Sequence, residues 1–319
     1  MIDFRYHLVS LASVLIALAV GIVLGAGPLN SGILESVNSE VKTLRQDKSD
    51  LRAQLDTATR TVGVHQSFEA SRLPTMVAGK LAGRTVVLVT LPGAPTDVVS
   101  TTEDTLTSAG AIVTGRVAIG SAYADQSPSA VAARDALATQ VDTVLAMPAG
   151  AVAGSGVDPG IAACLAEGTV TGSDGLGFTP TPEARTEAWT TLRNAGVVDR
   201  SLPEQVASTV VVLGGPAVEA STDASAQADA YATLAEALDG RSDGVVLAED
   251  LTVSDTLVVS AVASARGDSA VRRAVSTVDD AGSTIGQVSI VDALSEQTAS
   301  RVGQYGNLPG ATRAFPSAG

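Results

Sequence analysis

The chain has 319 residues, about two domains' worth, with 20 basic against 34 acidic side chains and a formal charge of −14. Hydrophobic residues make up 45% but aromatics only 3%, so Ala, Val and Gly supply the bulk, which suits tightly packed α/β layers. The acidity argues against a nucleic-acid binder, which needs a basic footprint, and two His and one Cys exclude most zinc sites and any disulfide framework within the chain.

Charge divides the chain into three regions. Residues 1–33 carry only Asp3 and Arg5, and residues 34–73 carry six acidic and six basic side chains, so the whole −14 lies in residues 74–319. The first region contains LVSLASVLIALAVGIVLGAGPL, residues 8–29, without a formal charge. As a helix these 22 residues reach about 33 Å, enough for a hydrocarbon core of about 30 Å. Phe4 and Tyr6 sit where an interfacial aromatic belt belongs, and Pro28 marks the exit. A cleaved signal peptide fits less well, because the basic n-region is almost absent and the apolar run is too long. Arg5 and the terminal amine, partly offset by Asp3, orient residues 1–7 as a cytoplasmic stub and place the rest outside. Within the span Ser13, Ala17, Gly21 and Gly25 recur every four residues, a small-residue stripe of the kind that lets two membrane helices approach closely.

Residues 33–73 read as a coiled coil and connector. Leu34, Val41, Lys48, Leu55 and Val62 take heptad position a, and Val37, Leu44, Leu51 and Ala58 take d, with no Pro or Gly between 33 and 62. Lys48, the polar a residue, costs stability and can set register or oligomeric state. Glu40 and Asp47 fall at g, and Arg45 and Arg52 at e. A parallel partner of the same sequence therefore meets two attractive pairs, Glu40–Arg45′ and Asp47–Arg52′. The alternative is an amphipathic helix folded back on its own domain. The narrow apolar stripe and dense mixed charge on the other faces favour a coil, formed with itself or with a similar membrane protein.

After Leu73-Pro74 the pattern becomes β-rich runs alternating with Ala-rich amphipathic stretches. Strands are predicted at 85–91, 111–119, 141–147, 209–213, 244–248 and 275–278, and helices at 97–109, 128–139, 182–195, 221–239, 253–265 and 283–302. This alternation predicts a Rossmann-like, mostly parallel sheet flanked by helices over residues 79–306, with a flexible tail at 307–319. The Gly-, Ser- and Asp-rich stretch 150–181 reads as a joint between two halves or a surface loop. LPGAP at 91–95 and LGGPA at 213–217 are similar strand ends, from internal duplication or ordinary turn chemistry.

Catalytic signals are weak in this domain. No Gly-x-Gly-x-x-Gly or Walker A pattern follows a strand, and both His7 and His65 lie outside it, so a Ser-His-Asp triad is unavailable. Its only Lys, Lys80, lies outside the sheet. Carboxylate-only catalysis stays open, but the expectation is a non-enzymatic protein without a cofactor. Cys164, in IAACLAE, and Trp189 are expected in the core or, for Trp189, at an interface. Glu249-Asp250 and Asp279-Asp280, which follow strands, are expected as solvated turns or helix caps.

The opening MIDFRYHLVS, running into ALAVGIVLGAGPL and then directly into the coil, resembles the actinobacterial MctB copper-transporter family. Val278-Asp279, Gly286-Gln287-Val288 and the closing Gly303-Gln304-Tyr305-Gly306 are similar too. The resemblance implies a cell-envelope membrane protein credited with copper efflux, described as an outer-membrane pore. It also implies a second role, since SteB-like members pair with a SteA-like membrane protein to control a peptidoglycan hydrolase in cell separation. Copper is thus implied by the resemblance alone: Cys164, Met76, Met147, His7 and His65 include no pair at ligand spacing. Nor does the pattern show the ten-residue alternating strands of a membrane barrel.

Overall fold

The computed structural model describes residues 4–25, 29–148, 156–168, 170–171, 177–216, 218–219, 221–251 and 258–317. The chain divides into two compact units, residues 1–67 and 68–319.

The first unit is helical. Helix α1 spans Phe4–Gly25, 22 residues with a hydropathy of 2.7, long and apolar enough to cross a membrane. Every residue of α1 is exposed, whereas a helix apolar on all faces belongs in a protein core or a bilayer. Helix α2, Leu29–Val77, continues through Pro74, past the boundary expected at Leu73, and ends in the second unit.

The second unit builds a three-layer domain in the order β1 (Thr85–Thr90), α3 (Thr96–Ser108), β2 (Ile112–Ile119), α4 (Pro128–Leu145), α5 (Asp158–Leu165), β3 (Val170–Thr171), β4 (Gly177–Phe178), α6 (Pro182–Asn194), β5 (Val198–Asp199), β6 (Thr209–Leu213), β7 (Val218–Glu219), α7 (Thr222–Asp239), β8 (Val245–Ala248), β9 (Val258–Val259), α8 (Ala261–Gly267), α9 (Val271–Ala274), β10 (Ser276–Val278), α10 (Thr284–Gln297) and β11 (Gln304–Tyr305). The main sheet has seven strands in the order β11-β10-β8-β6-β1-β2-β5, and only β5 runs antiparallel to its neighbour. Its central strands TVVLVT and TVVVL are buried on both faces, as continuous Val-rich runs require when helices cover both sides. Helices α3 and α10 pack on one face, around Val86, Leu88, Val211 and Val246. The α4–α8 helices pack on the other, around Val87, Val89, Val210 and Val245.

Numbered one to six in chain order, the parallel strands β1, β2, β6, β8, β10 and β11 lie as 6-5-4-3-1-2. That is the flavodoxin-type order 2-1-3-4-5 with one strand added, not the 3-2-1-4-5-6 order of the Rossmann fold, so the topological switch point falls between β1 and β6.

Further sequence expectations are corrected, among them the flexible tail at 307–319. In the stretch 141–147, expected as a strand, residues 141–145 form the end of α4, closed by Ala146 in the left-handed conformation. Ala138, Val141 and Leu145 share one buried helical face, and this stripe outweighs the β-branched character of Val141, Thr143 and Val144. The stretch 150–181 is not simply a joint or surface loop. It carries α5, whose Ile161–Leu165 segment is wholly buried. A Cβ at Gly160 would collide with the Val141 side chain, so this glycine lets α5 and α4 approach. The helix expected at 253–265 is present as α8 from Ala261, after β9, while residues 253–257 lie outside the described residues. Beyond 307, Thr312 N–H donates to Gln304 O and Gly306 N–H to Arg313 O, so this stretch returns to β11.

Candidate functional site

Two regions offer chemistry or surface for function: the helical unit, and the carboxyl edge of the sheet. On α1, Ser13, Ala17, Gly21 and Gly25 are exposed, and nothing lies within 4 Å of a Cβ built on Gly21 or Gly25. The Ser13 hydroxyl donates to Val9 O at 2.8 Å, so its hydrogen bond is satisfied within the helix and leaves the stripe smooth.

On α2, the a and d positions from Val37 to Val62 form one exposed stripe. Leu44, Leu51 and Leu55 are 62%, 64% and 66% exposed, and Val37, Val41, Lys48, Ala58 and Val62 are exposed as well. Leu34 lies on the helix, but its side chain is outside the described residues. Leu44, Asp47, Lys48, Leu51, Arg52 and Leu55 border a shallow groove along the helix. Glu40, Arg45, Asp47 and Arg52 are exposed and enter none of the ion pairs among the described residues. A single α2 thus brings the predicted coil residues onto one face and leaves that face apolar towards solvent.

In the domain, the strand-end carboxylates are mostly not solvated turns. Glu249 is 3% exposed and accepts from Ala261 N–H at 3.2 Å and Val262 N–H at 3.0 Å, so it caps the first turn of α8 from a neighbouring strand. Burial pushes its carboxyl up to about 7, against the lowering effect of those bonds and of Arg266. Asp279 is 1% exposed and pairs with Arg266 Nη1 at 2.7 Å. It also accepts from Asn307 and Leu308 N–H, both at 2.9 Å. Arg266 also donates from Nε to Thr277 Oγ1 and from Nη2 to Tyr305 O, clamping α8, β10 and β11 together. Asp250 is exposed, and Asp280 accepts from the Ser283 hydroxyl that caps α10. The Asp279–Arg266 pairing was missed in the sequence because the two residues, 13 positions apart, meet only across the fold.

Cys164 is fully buried and its thiol is pushed up to about 12 by burial, which keeps it protonated and inert. Trp189 is buried and its Nε1–H donates to Arg200 O at 3.1 Å, the polar handle a core Trp needs.

Comparison with known proteins completes the description. The family described as "Copper transport outer membrane protein, MctB" matches residues 1–316. Proteins named "Copper transporter MctB" from Mycobacterium tuberculosis (strain H37Rv) and Mycobacterium bovis are 30% identical to the chain, and that from Mycobacterium leprae is 29% identical, in each case over 98% of both sequences. The chain belongs to the MctB family.

In this MctB-family chain the soft metal ligands are dispersed. His7 is on α1, His65 and Met76 are exposed on α2, Met147 follows α4, and Cys164 is sealed in the core. No group of three or more His, Cys, Asp and Glu residues with metal-holding geometry is present among the described residues.

Proposed function

We propose that this MctB-family membrane protein serves copper handling in the cell envelope without catalytic chemistry or a cofactor of its own, by assembling through residues 13–62 and holding its α/β domain outside the membrane. The observation that carries this reading is the continuous exposed a/d stripe of α2, following directly on an apolar span. Burying those Leu and Val side chains contributes about 1.5–3 kcal/mol each when complete, and a partner helix is the geometry the heptad fits. A lone apolar helix offers no polar lining, so any copper path through the membrane requires several copies or another protein. Copper is cargo in this reading; the name of the relatives supports it. Arg5 near the start of the span supports a cytoplasmic N-terminus.

The test is disulfide crosslinking in membranes of Leu44→Cys or Leu51→Cys, in a Cys164→Ala background. Crosslinked dimers are expected, and their absence would refute self-association through the coil. A strain carrying Leu44→Asp with Leu51→Asp should be as copper-sensitive as the deletion. A deletion that leaves copper tolerance intact but cells chained would instead favour pairing with a SteA-like partner and control of an envelope hydrolase.

A further inference from the structure

A cavity of about 120 Å³ opens where the carboxyl ends of β1, β6 and β8 meet the first turns of α7 and α8. It lies beside the switch point between β1 and β6, where strands of an open α/β sheet diverge and ligands settle. Glycines shape the entrance. Gly93 adopts φ +83°, and a Cβ at Gly215 would lie 2.8 Å from Pro92 O, so the two strand-end turns close on each other as only glycines permit. A Cβ at Gly214 would collide with the Glu249 carboxyl, so that glycine makes room for the acid at the cavity wall.

Leu91, Pro216, Ala228 and Tyr231 supply apolar wall, and Gln227, Ser260 and Glu249 supply polar side chains. Tyr231 is held by stacking on Tyr123, centroids 5.8 Å apart, so its ring is a fixed surface. Glu249 is an unusual residue for such a place. Its oxygens take two backbone N–H groups and interact with the Ser260 hydroxyl, but among the described residues it enters no ion pair. The nearby cation, Arg266, spends its guanidinium on Asp279, Thr277 and Tyr305. A carboxylate buried without its own cation pays a desolvation cost that a cationic ligand can return. Tyr231 lines the same cavity, and an aromatic ring there favours an ammonium group, which is attracted to the ring as well as to the acid.

We propose that this cavity binds the ammonium end of a small organic amine, held between Glu249 and the Tyr231 ring. The proposal is independent of the coiled-coil reading, since it uses only residues of the α/β domain. It goes beyond helix capping: Ser260 already accepts from Ala263 N–H at the start of α8.

Titration calorimetry of the full-length protein in detergent at about pH 8, where the Glu249 carboxyl is ionised, tests it with n-butylammonium as the probe and butanol and butyrate as controls. Saturable binding of n-butylammonium alone is expected, weakened at least about tenfold by Glu249→Gln. Ala228→Met fills the cavity from α7 while keeping Glu249 and both of its N–H partners, and is expected to abolish the binding, with the unfolding midpoint of each variant measured alongside so that misfolding is told apart from loss of the site. No saturable binding, equal binding of butanol, or binding unchanged in Ala228→Met would overturn the proposal and leave Glu249 as a helix cap only.

Discussion

Leu51 on α2 and Leu88 on β1 are the same side chain in opposite circumstances: the first is 64% exposed, the second fully buried. The helical unit carries an ordered apolar stripe that stays exposed within that unit. The α/β domain buries its stripes on both faces of the sheet. A complete hydrophobic pattern can therefore be buried in a fold or left exposed, and on α2 it is exposed, as the proposed assembly requires. In the domain, polar groups are consumed by structure as well: Asp279 and Arg266 satisfy each other and the β10–β11 edge. The charges of α2 at positions 40, 45, 47 and 52 stay exposed and available.

The contrast can be broken most forcefully at the buried ion pair. Asp279→Ala leaves the Arg266 guanidinium buried and uncompensated, and should cost about 3–5 kcal/mol in denaturant unfolding followed by domain fluorescence. A loss under about 1 kcal/mol would mean the clamp does not hold β11. Next comes pH. The Glu249 carboxyl ionises near 4.5 when unfolded and near 7 when folded, so between these values the native state binds more protons. Its contribution is full below the unfolded value and is lost as pH rises through about 7, on the order of 3 kcal/mol in all. Glu249→Gln should flatten the melting temperature across that window. An unchanged slope would place the effect elsewhere, Asp239 being the other carboxyl pushed up to about 7 by burial.

The finest test applies one deletion to both regions. Leu88→Ala should destabilise the domain by about 3 kcal/mol through lost burial and a cavity, whereas Leu51→Ala should leave domain unfolding within about 0.5 kcal/mol. Equal effects in the two regions would erase the distinction between fold and interface.

Much of the architecture was legible because its signals are local. The long apolar helix α1 follows from the uncharged run 8–29, the single apolar stripe of α2 from unbroken 3–4 spacing, and TVVVL from a buried parallel strand's composition. The end of α4 was misread because a short run such as VDTVLAM fits either period until its neighbours are known. Helix α5 hid in a Gly-rich stretch, although Pro159 at its first turn is a start signal.

By itself, then, the sequence determined that a membrane-length helix and a charge-balanced heptad precede an acidic, mostly parallel α/β domain, since periodicity and charge act within a few residues. Only the tertiary structure decided the strand order, the switch point beside Glu249, and the meeting of Arg266 with Asp279. Those depend on which strands neighbour one another, and that is settled by packing over the whole domain.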